Sequence, residues 1–257
     1  MVILKSDCLN KTYVSSKSTG FFKEQKTNFE VLKDFSLTIE KPGIYGLVGP
    51  NGAGKTTFIR HCLGLVEKTS GVLEVLGQDP FLARKSFLSQ ISLISGNHDT
   101  FESKLSSREL LKFQAALYNL NPLEAEKRSF ELVDFFKIRD KIDIPLERLS
   151  LGQKMKFEII SKLLHKPKLL FLDEPTLGLD FEAQSMMHSL LLDLHQNEQV
   201  TIFLTSHYLA DITTLCSKFT VIEEGKNVFT GDFKQLNSLT SSHKGYLKSL
   251  IKELNKN

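Results

Sequence analysis

The stretch Gly49-Pro50-Asn51-Gly52-Ala53-Gly54-Lys55-Thr56 decides the fold of this chain. It matches the pattern G-x-x-x-x-G-K-[ST], in which a loop between a strand and a helix wraps around phosphate groups. The apolar residues 44–48 before it predict a buried strand, and residues 57–63 after it predict a helix. This context disfavours the alternative, a glycine-rich turn that binds nothing.

The residue types of this loop suit a polyphosphate. Three glycines let the backbone close around an anion, and the following helix N-terminus directs N–H groups and partial positive charge towards it. Lys55 can reach the outer phosphates, and the Thr56 hydroxyl can ligate Mg²⁺. We therefore predict nucleotide-binding residues at all eight positions and at Thr57, which follows them.

The composition excludes several classes of protein. The 257 residues are 41% hydrophobic and carry a net charge of +3 without a dense basic stripe, so no nucleic-acid partner is expected. Three scattered cysteines predict neither a metal site nor a disulfide framework, which suits a reducing compartment. We expect a soluble chain, because the N-terminus does not resemble a signal peptide and no stretch reaches the ~20 apolar residues of a membrane span.

Strands alternate with helices along the chain, which predicts an α/β fold with a mostly parallel sheet and a ligand at the carboxyl ends of its strands. Residues 15–28 are rich in Ser, Thr and Lys and predict a loop or short excursion between two early strands. Residues 107–149 have helical spacing and predict a helical insert. We predict further strands at residues 35–40, 44–48, 72–77, 91–95, 168–172, 200–205 and 218–223.

Two carboxylates, Asp173 and Glu174, end the apolar strand that residues 168–172 predict. Asp173 suits the coordination shell of Mg²⁺, directly or through water, and Glu174 suits the polarisation of an attacking water. The alternative is that both acids cap a helix, since Pro175 and Thr176 follow them.

A second anion site is predicted at Leu149-Ser150-Leu151-Gly152-Gln153, which opens a helix. One chain does not need two such sites for one nucleotide. With these residues the sequence resembles the ATP-binding subunit of an ABC transporter, in which the LSGGQ signature of one subunit closes over the ATP bound by the P-loop of the other. Leu151 replaces the first glycine of that signature, whereas Ser150, Gly152 and Gln153 are retained.

The resemblance assigns roles to three further residues. Tyr13 matches the aromatic residue that stacks on adenine, and Asp180 matches the D-loop, which communicates across the dimer. An aspartate at position 180 also suits a helix N-cap. His207 matches the switch histidine, which hydrogen-bonds the γ-phosphate and positions the water. Together with Lys55 and Glu174, His207 is a predicted catalytic residue.

One motif of the family is missing. The family usually carries a glutamine, which contacts Mg²⁺ and water, at the end of the strand predicted at residues 91–95. Gly96 and Asn97 stand there instead. Our hypothesis is that Asn97 substitutes in part as a metal ligand, beside Thr56 and Asp173, or that water holds Mg²⁺ at this point.

The resemblance implies a P-loop NTPase core with a mostly parallel sheet, an N-terminal antiparallel β subdomain and a helical insert. It implies one ABC ATPase domain over residues 1–232, with a helical subdomain at about 97–160, and a short helix or tail over 233–257. The chain would hydrolyse ATP with Mg²⁺ as a homodimer or heterodimer around two ATP molecules. It would drive a separate integral membrane permease, an exporter, from the cytoplasmic face of the membrane. The docking groove would lie near residues 96–105.

Three alternatives stay open at this point. An ABC-type ATPase of DNA repair, chromosome organisation or translation is disfavoured, because residues 57–149 lack sustained heptads and the chain has one such domain. A small-molecule kinase or a GTPase is disfavoured, because neither explains residues 149–153 and residues 10–13 do not form the guanine-reading Asn-Lys-x-Asp. A module that only binds nucleotide is disfavoured by the presence of both Glu174 and His207.

Overall fold

The computed structural model describes residues 2–18, 24–83, 85–95, 104–238 and 245–254. Contacts divide the chain into two compact units, the first formed by Met1–Arg84 with Thr205–Asn257 and the second by Lys85–Leu204. The domain boundaries expected from the sequence, at about residues 97, 160 and 232, stay predictions.

The elements alternate along the chain. The strands are β1 Leu4–Ser18, β2 Glu24–Ile39, β3 Ile44–Val48, β4 Ser70–Val75, β5 Ile91–Ser95, β6 Leu169–Asp173, β7 Thr201–Ser206, β8 Lys218–Glu223 and β9 Lys226–Gly231. The helices are α1 Lys55–Cys62, α2 Lys85–Leu88, α3 Ser107–Leu117, α4 Pro122–Phe135, α5 Leu151–Leu163, α6 Phe181–Glu198, α7 Leu209–Leu215, α8 Phe233–Asn237 and α9 Gly245–Leu254. Two short 3₁₀ turns, Arg139–Lys141 and Leu146–Arg148, precede α5.

An antiparallel sheet with the order β2-β1-β4 begins the first unit. The loop or short excursion predicted at residues 15–28 is wrong for residues 15–18 and 24–28, because Ser15 pairs with Thr27 and Ser18 pairs with Glu24 across β1 and β2. Residues 19–23 lie outside the described residues. Polar residues supply the same backbone donors and acceptors as apolar ones, and a partner strand decides whether they are used in a sheet. Composition alone therefore concealed this hairpin.

The strand that leads into the P-loop belongs to the same unit. β3 pairs in parallel with β8, and β8 pairs antiparallel with β9. A turn at Glu224 and Gly225 connects β8 to β9, a strand that the sequence did not predict. Side chains of β9 are mostly exposed or half-buried, so this strand lacks the apolar run that marks β3 and β8. In the core, the rings of Phe35 and Phe58 lie 4.8 Å apart.

The second unit contains the parallel pair β5 and β6, with β7 next to β6. The first four residues of β6, Leu169 to Leu172, are all buried, as in a strand that is covered on both faces. The predicted helical insert is confirmed as α3 and α4. Asn121 accepts hydrogen bonds from the first turn of α4 and Pro122 is its first residue, which explains why the helical run breaks there.

The fold class predicted from the sequence is confirmed. The chain is α/β, with an N-terminal antiparallel sheet, parallel strand pairs and a group of helices between β5 and β6. The carboxyl ends of β3, β6 and β7 carry the residues that the sequence analysis assigned to chemistry.

Candidate functional site

The backbone of the P-loop lies too close to its neighbours for larger residues. A Cβ atom at Gly49 would lie 2.3 Å from the carbonyl oxygen of Ile222. Gly54 has a φ of +111° and is the N-cap of α1, and a Cβ atom there would lie 2.9 Å from the carbonyl oxygen of Val31. Both positions therefore require glycine, which allows the loop backbone to adopt this conformation.

Charge at the N-terminus of α1 favours an anion. The first turn contains no acidic residue, and the side chain of Lys55 is buried at its start. Its ammonium donates hydrogen bonds to the carbonyl oxygens of Gly49, at 2.7 Å, and Pro50, at 3.3 Å. Thr56 is exposed at the same helix end. The loop therefore offers a lysine, a hydroxyl and a helix dipole to one ligand.

The other predicted residues of the P-loop also lie in the first unit and differ in their exposure. Asn51 and Gly52 are exposed, Ala53 is buried and Thr57 is half-buried. The N–H of Gly225, in the turn after β8, donates to the carbonyl oxygen of Ala53 at 3.1 Å. A turn more than 170 residues away in sequence thereby stabilises the loop.

Tyr13 presents an exposed aromatic ring on β1, opposite Phe29 of β2. The ammonium of Lys11 lies 4.7 Å from the centroid of this ring and donates to the carbonyl oxygen of Glu67. A cation over an aromatic face restrains the ring, which suits stacking on a base. Its contact with adenine stays a prediction.

His207 follows β7 and is half-buried. The hydroxyl of Ser206 donates to the carboxylate of Asp211 at 2.6 Å and accepts from the N–H of Tyr208 at 2.9 Å. The rings of His207 and Tyr208 have centroids 3.9 Å apart. Asp211 was not among the predicted site residues. The signal for it in the sequence is an acidic residue in the first turn of the helix that follows Ser206 and His207.

Asp173 and Glu174 lie at the end of β6 in the second unit, and both are half-buried. Glu174 has a φ of +52°, a left-handed conformation that costs free energy in a non-glycine residue and is concentrated at functional sites. The next helix, α6, begins only at Phe181 and is capped by Asp180, whose carboxylate accepts from the N–H of Ala183 at 2.8 Å. The alternative in which Asp173 and Glu174 cap a helix is therefore wrong.

The second predicted anion site forms the start of α5. The Ser150 hydroxyl accepts from the N–H of Gln153 at 3.3 Å, and the Gln153 side chain accepts from the N–H of Ser150 at 3.1 Å. Ser150 and Leu151 are exposed, so this helix end faces outward from the second unit. A Cβ atom at Gly152 would lie 2.7 Å from the side chain of Met186, so glycine allows the close approach of α6.

The substitute for the family glutamine lies outside the described residues, because these exclude Gly96 and Asn97. The preceding residue, Ser95, is the register partner of Asp173 across β5 and β6. The two strands therefore end side by side, and the role of Asn97 stays a prediction.

All three cysteines are free, and of these Cys8 is exposed whereas Cys62 and Cys216 are buried. Burial raises the pKa of the Cys62 thiol well above its ordinary value, and burial beside Asp211 raises the pKa of Cys216. Neither buried thiol is therefore suited to nucleophilic or metal-binding chemistry at neutral pH.

Comparisons with known proteins identify the group to which this arrangement belongs. The family model described as ABC transporter matches residues 32–177. The chain is 31% identical to the ABC transporter ATP-binding protein NatA of Bacillus subtilis, over 84% of this chain and 87% of NatA. It is 33% identical to the bacitracin transport ATP-binding protein BcrA of Bacillus licheniformis, over 99% of this chain and 76% of BcrA. The chain belongs to the ABC transporter family.

Solved structures agree with this membership of the ABC transporter family. A structure of cbiO1 from Clostridium perfringens, described as part of the ABC transporter complex cbiONQ, matches with a TM-score of 0.80 and 26% identity. It covers 99% of this chain and 95% of that one. The chain is thus an ATP-binding protein and an ATPase, as predicted, rather than a small-molecule kinase or a GTPase.

In this ABC transporter ATPase, Thr56 of the first unit and Asp173 of the second unit each carry an oxygen donor of the kind that a hard cation prefers. Among the residues that the structure describes, no three His, Cys, Asp or Glu side chains cluster to hold a metal ion. Mg²⁺ differs from most metals in that one or two carboxylates with phosphate and water suffice. The exposed Thr56 hydroxyl and the carboxylate of Asp173 are donors of that kind.

No helix among the described residues is long and apolar enough to span a bilayer.

Proposed function

We propose that this ATPase works as a dimer, with a second copy or a close relative, around two Mg²⁺-bound ATP molecules, and that it drives a separate membrane permease. The observation that carries this proposal is the exposed position of Ser150 at the N-terminus of the 13-residue helix α5. A helix end with exposed donors attracts an anion from outside the unit, and a second molecule can supply it.

In this proposal, different predicted residues contact the phosphates, the adenine and the metal ion. Lys55 neutralises the outer phosphates, and Tyr13 stacks on the adenine. Thr56 and Asp173 hold Mg²⁺, which supplies charge neutralisation at the phosphates. The hydroxyl of Ser150, with Gly152 and Gln153, contacts the phosphates held by the other subunit.

Hydrolysis is assigned to Glu174 and His207. Glu174 accepts a proton from the attacking water. Its left-handed backbone conformation supports this role, because surrounding structure must hold such a conformation in place and thereby fixes the position of the carboxylate. His207 donates to the γ-phosphate and orients the water. Asp180, beside the exposed Phe181, contacts the partner subunit when ATP closes the dimer. ATP binding closes the dimer and ATP hydrolysis lets it open, so the free energy of hydrolysis is converted into motion.

Export is the direction that we propose. The names of related proteins support it: BcrA is a bacitracin transport protein, and a Nod factor export protein of Sinorhizobium fredii is 34% identical over 78% of this chain. A linearmycin resistance protein of Bacillus subtilis is 32% identical over 78% of it. We propose that the permease docks near residues 96–105, of which only Lys104 and Leu105 are described, and that the ATPase lies on the cytoplasmic face of the membrane.

The test of this proposal is the oligomeric state of the Glu174→Gln variant. Gln keeps the shape of the side chain and removes the base, so ATP should persist and hold two subunits together. Light scattering after size-exclusion chromatography should give a dimer with ATP and Mg²⁺ and a monomer without ATP. Glu126→Gln, on the exposed face of α4, is the matched control and should stay monomeric at steady state. A Glu174→Gln monomer at saturating ATP would contradict the dimer.

A second experiment addresses the permease. Gentle detergent extracts should yield a multi-span membrane protein bound to the chain, and that protein should stimulate its ATPase activity in vesicles. ATPase activity that no membrane protein changes would count against the transport role and leave the dimer untouched.

A further inference from the structure

The C-terminal helix α9 packs firmly against the first unit. Leu247, Leu250 and Ile251 are buried, at one-face spacing along the helix, while Lys248 and Ser249 between them are exposed. The contacts of α9 are with α8 and β8. This segment, which received no role in the sequence analysis, therefore belongs to the same unit as the P-loop and His207.

The start of α9 is attached to the end of β8. The N–H of Tyr246 donates to the carboxylate of Glu223, the last residue of β8, at 3.1 Å. Gly245 has a φ of +72°, and a Cβ atom there would lie 2.1 Å from the same carboxylate oxygen. Glycine is thus required for the approach, and an acid at a helix N-terminus is favourable.

The side chain of Tyr246 reaches the loop that carries the predicted switch histidine. Its hydroxyl donates to the carbonyl oxygen of His207 at 3.1 Å, across 39 residues of sequence. On the other side, the Ser206 hydroxyl is bound to the buried Asp211. Thus α9 contacts the backbone of His207 itself, whereas α7 holds the side chain of the neighbouring Ser206.

We propose that Tyr246 is a positioning residue for His207, so that α9 controls the rate of ATP hydrolysis. The inference rests on the proposed role of His207. An imidazole that serves a phosphate or a water must be held within hydrogen-bond reach, and a shift of about 1 Å can cost two orders of magnitude in rate. Tyr246 acts on the backbone of His207, and through it on the direction of the ring.

Replacement of the hydroxyl tests the inference with little disturbance of packing. In the 257-residue chain, Tyr246→Phe should lower kcat for ATP about three- to tenfold, the effect of one lost hydrogen bond, with KM unchanged and with Tm lowered no more than in a control that loses an equivalent hydrogen bond elsewhere. Tyr45→Phe is the matched control, because the Tyr45 hydroxyl also donates to a backbone carbonyl, that of Lys41 at 2.9 Å. That variant should keep the wild-type kcat.

The carboxylate that holds α9 gives a second test. Glu223→Ala should reproduce the loss of kcat, whereas Glu223→Gln keeps an acceptor oxygen and should restore most of it. Equal losses of kcat in Glu223→Gln and Glu223→Ala, or an equal loss of kcat in Tyr246→Phe and Tyr45→Phe, would indicate a structural role and overturn the inference.

The double variant separates this inference from the proposed function. His207→Ala should lower kcat strongly, and Tyr246→Phe added to it should cause no further loss. A full further loss would show that Tyr246 does not act through His207. Wild-type turnover in Tyr246→Phe, with a strong loss in His207→Ala, would overturn the inference alone. Wild-type turnover in His207→Ala would overturn the role of the histidine itself.

Discussion

The ammonium of Lys55 lies 2.7 Å from the carbonyl oxygen of Gly49, six residues earlier in the same loop. A buried lysine requires partners of negative or partial negative charge, and the loop supplies two carbonyl oxygens. A phosphate is a stronger partner for the same ammonium than a carbonyl, because both groups are then charged. The geometry of the loop thus keeps this lysine beside the position that we propose for the phosphate.

The variant Lys55→Ala should lose ATP hydrolysis. The lysine supplies charge at the phosphates that no other described P-loop side chain carries, so kcat should fall about a hundredfold or more. Steady-state ATPase assays at saturating Mg²⁺ and ATP measure the loss. Lys41→Ala, on the exposed turn before β3, should behave as wild type. Near-normal turnover in Lys55→Ala would contradict the assigned role.

Two serines with the same capping geometry separate helix stability from chemistry. The hydroxyls of Ser150 and Ser106 each accept from the backbone N–H three residues later at 3.3 Å, in α5 and α3. Ser150→Ala and Ser106→Ala should therefore each lower the free energy of unfolding by about 1 kcal/mol in denaturant titrations. Only Ser150→Ala should also reduce ATPase activity and ATP-dependent dimerisation.

A third variant sharpens this comparison. Ser150→Asp preserves an N-cap acceptor, so α5 should remain stable, but its carboxylate would repel a phosphate. ATP-dependent dimerisation of Ser150→Asp should be lost in light-scattering measurements at normal stability. Equal activity of all three variants would show that the N-terminus of α5 does not contact nucleotide.

Asn97 is expected to affect the use of the metal more than the binding of nucleotide. Asn97→Ala removes an amide oxygen that can serve Mg²⁺ directly or through water, so the Mg²⁺ concentration for half-maximal ATPase activity should rise. Titration of Mg²⁺ at fixed ATP measures the change, and Asn197→Ala, at an exposed position of α6, is a control. An unchanged rate and Mg²⁺ dependence would remove Asn97 from the site.

Stability should fall as the pH drops from about 7.5 to about 5.5. Burial lowers the pKa of His61 and of His165 below the ordinary value of 6.5. In this range the unfolded chain binds more protons at these residues than the folded chain, so the free energy of unfolding rises with pH. Urea titrations at several pH values measure this dependence. Asp79 and Asp143, whose pKa values are lowered from 3.8, act only at more acidic pH.

Variants at His165 assign part of this dependence. His165 stacks on Tyr118 with centroids 3.8 Å apart and is hydrogen-bonded to the carbonyl oxygen of Ile91. His165→Phe keeps a stacked ring without a titrating group, so its stability should depend less on pH. Tyr118→Phe keeps the histidine and should retain the wild-type dependence. The same pH slope in His165→Phe would exclude a contribution of His165.

Much of the architecture was predictable because its signals are local. The P-loop between β3 and α1, the buried strand β6 and the caps of α5 and α6 each depend on a few consecutive residues. The hairpin of β1 and β2 was not predictable, because its pairs join residues of polar composition through the backbone. β9 was not predicted for a similar reason, because its mostly exposed or half-buried residues show no apolar pattern.

The candidate site divides in the same way. The sequence alone determined the identities and order of Lys55, Asp173, Glu174 and His207, because the chemistry of phosphate and water depends on residue type. Only the tertiary structure decided the left-handed backbone of Glu174 and the hydrogen bond from Tyr246 to the carbonyl oxygen of His207. The backbone of Glu174 depends on how surrounding structure compensates its strain. The hydrogen bond from Tyr246 joins residues 39 positions apart, and no local sequence pattern encodes such a pair.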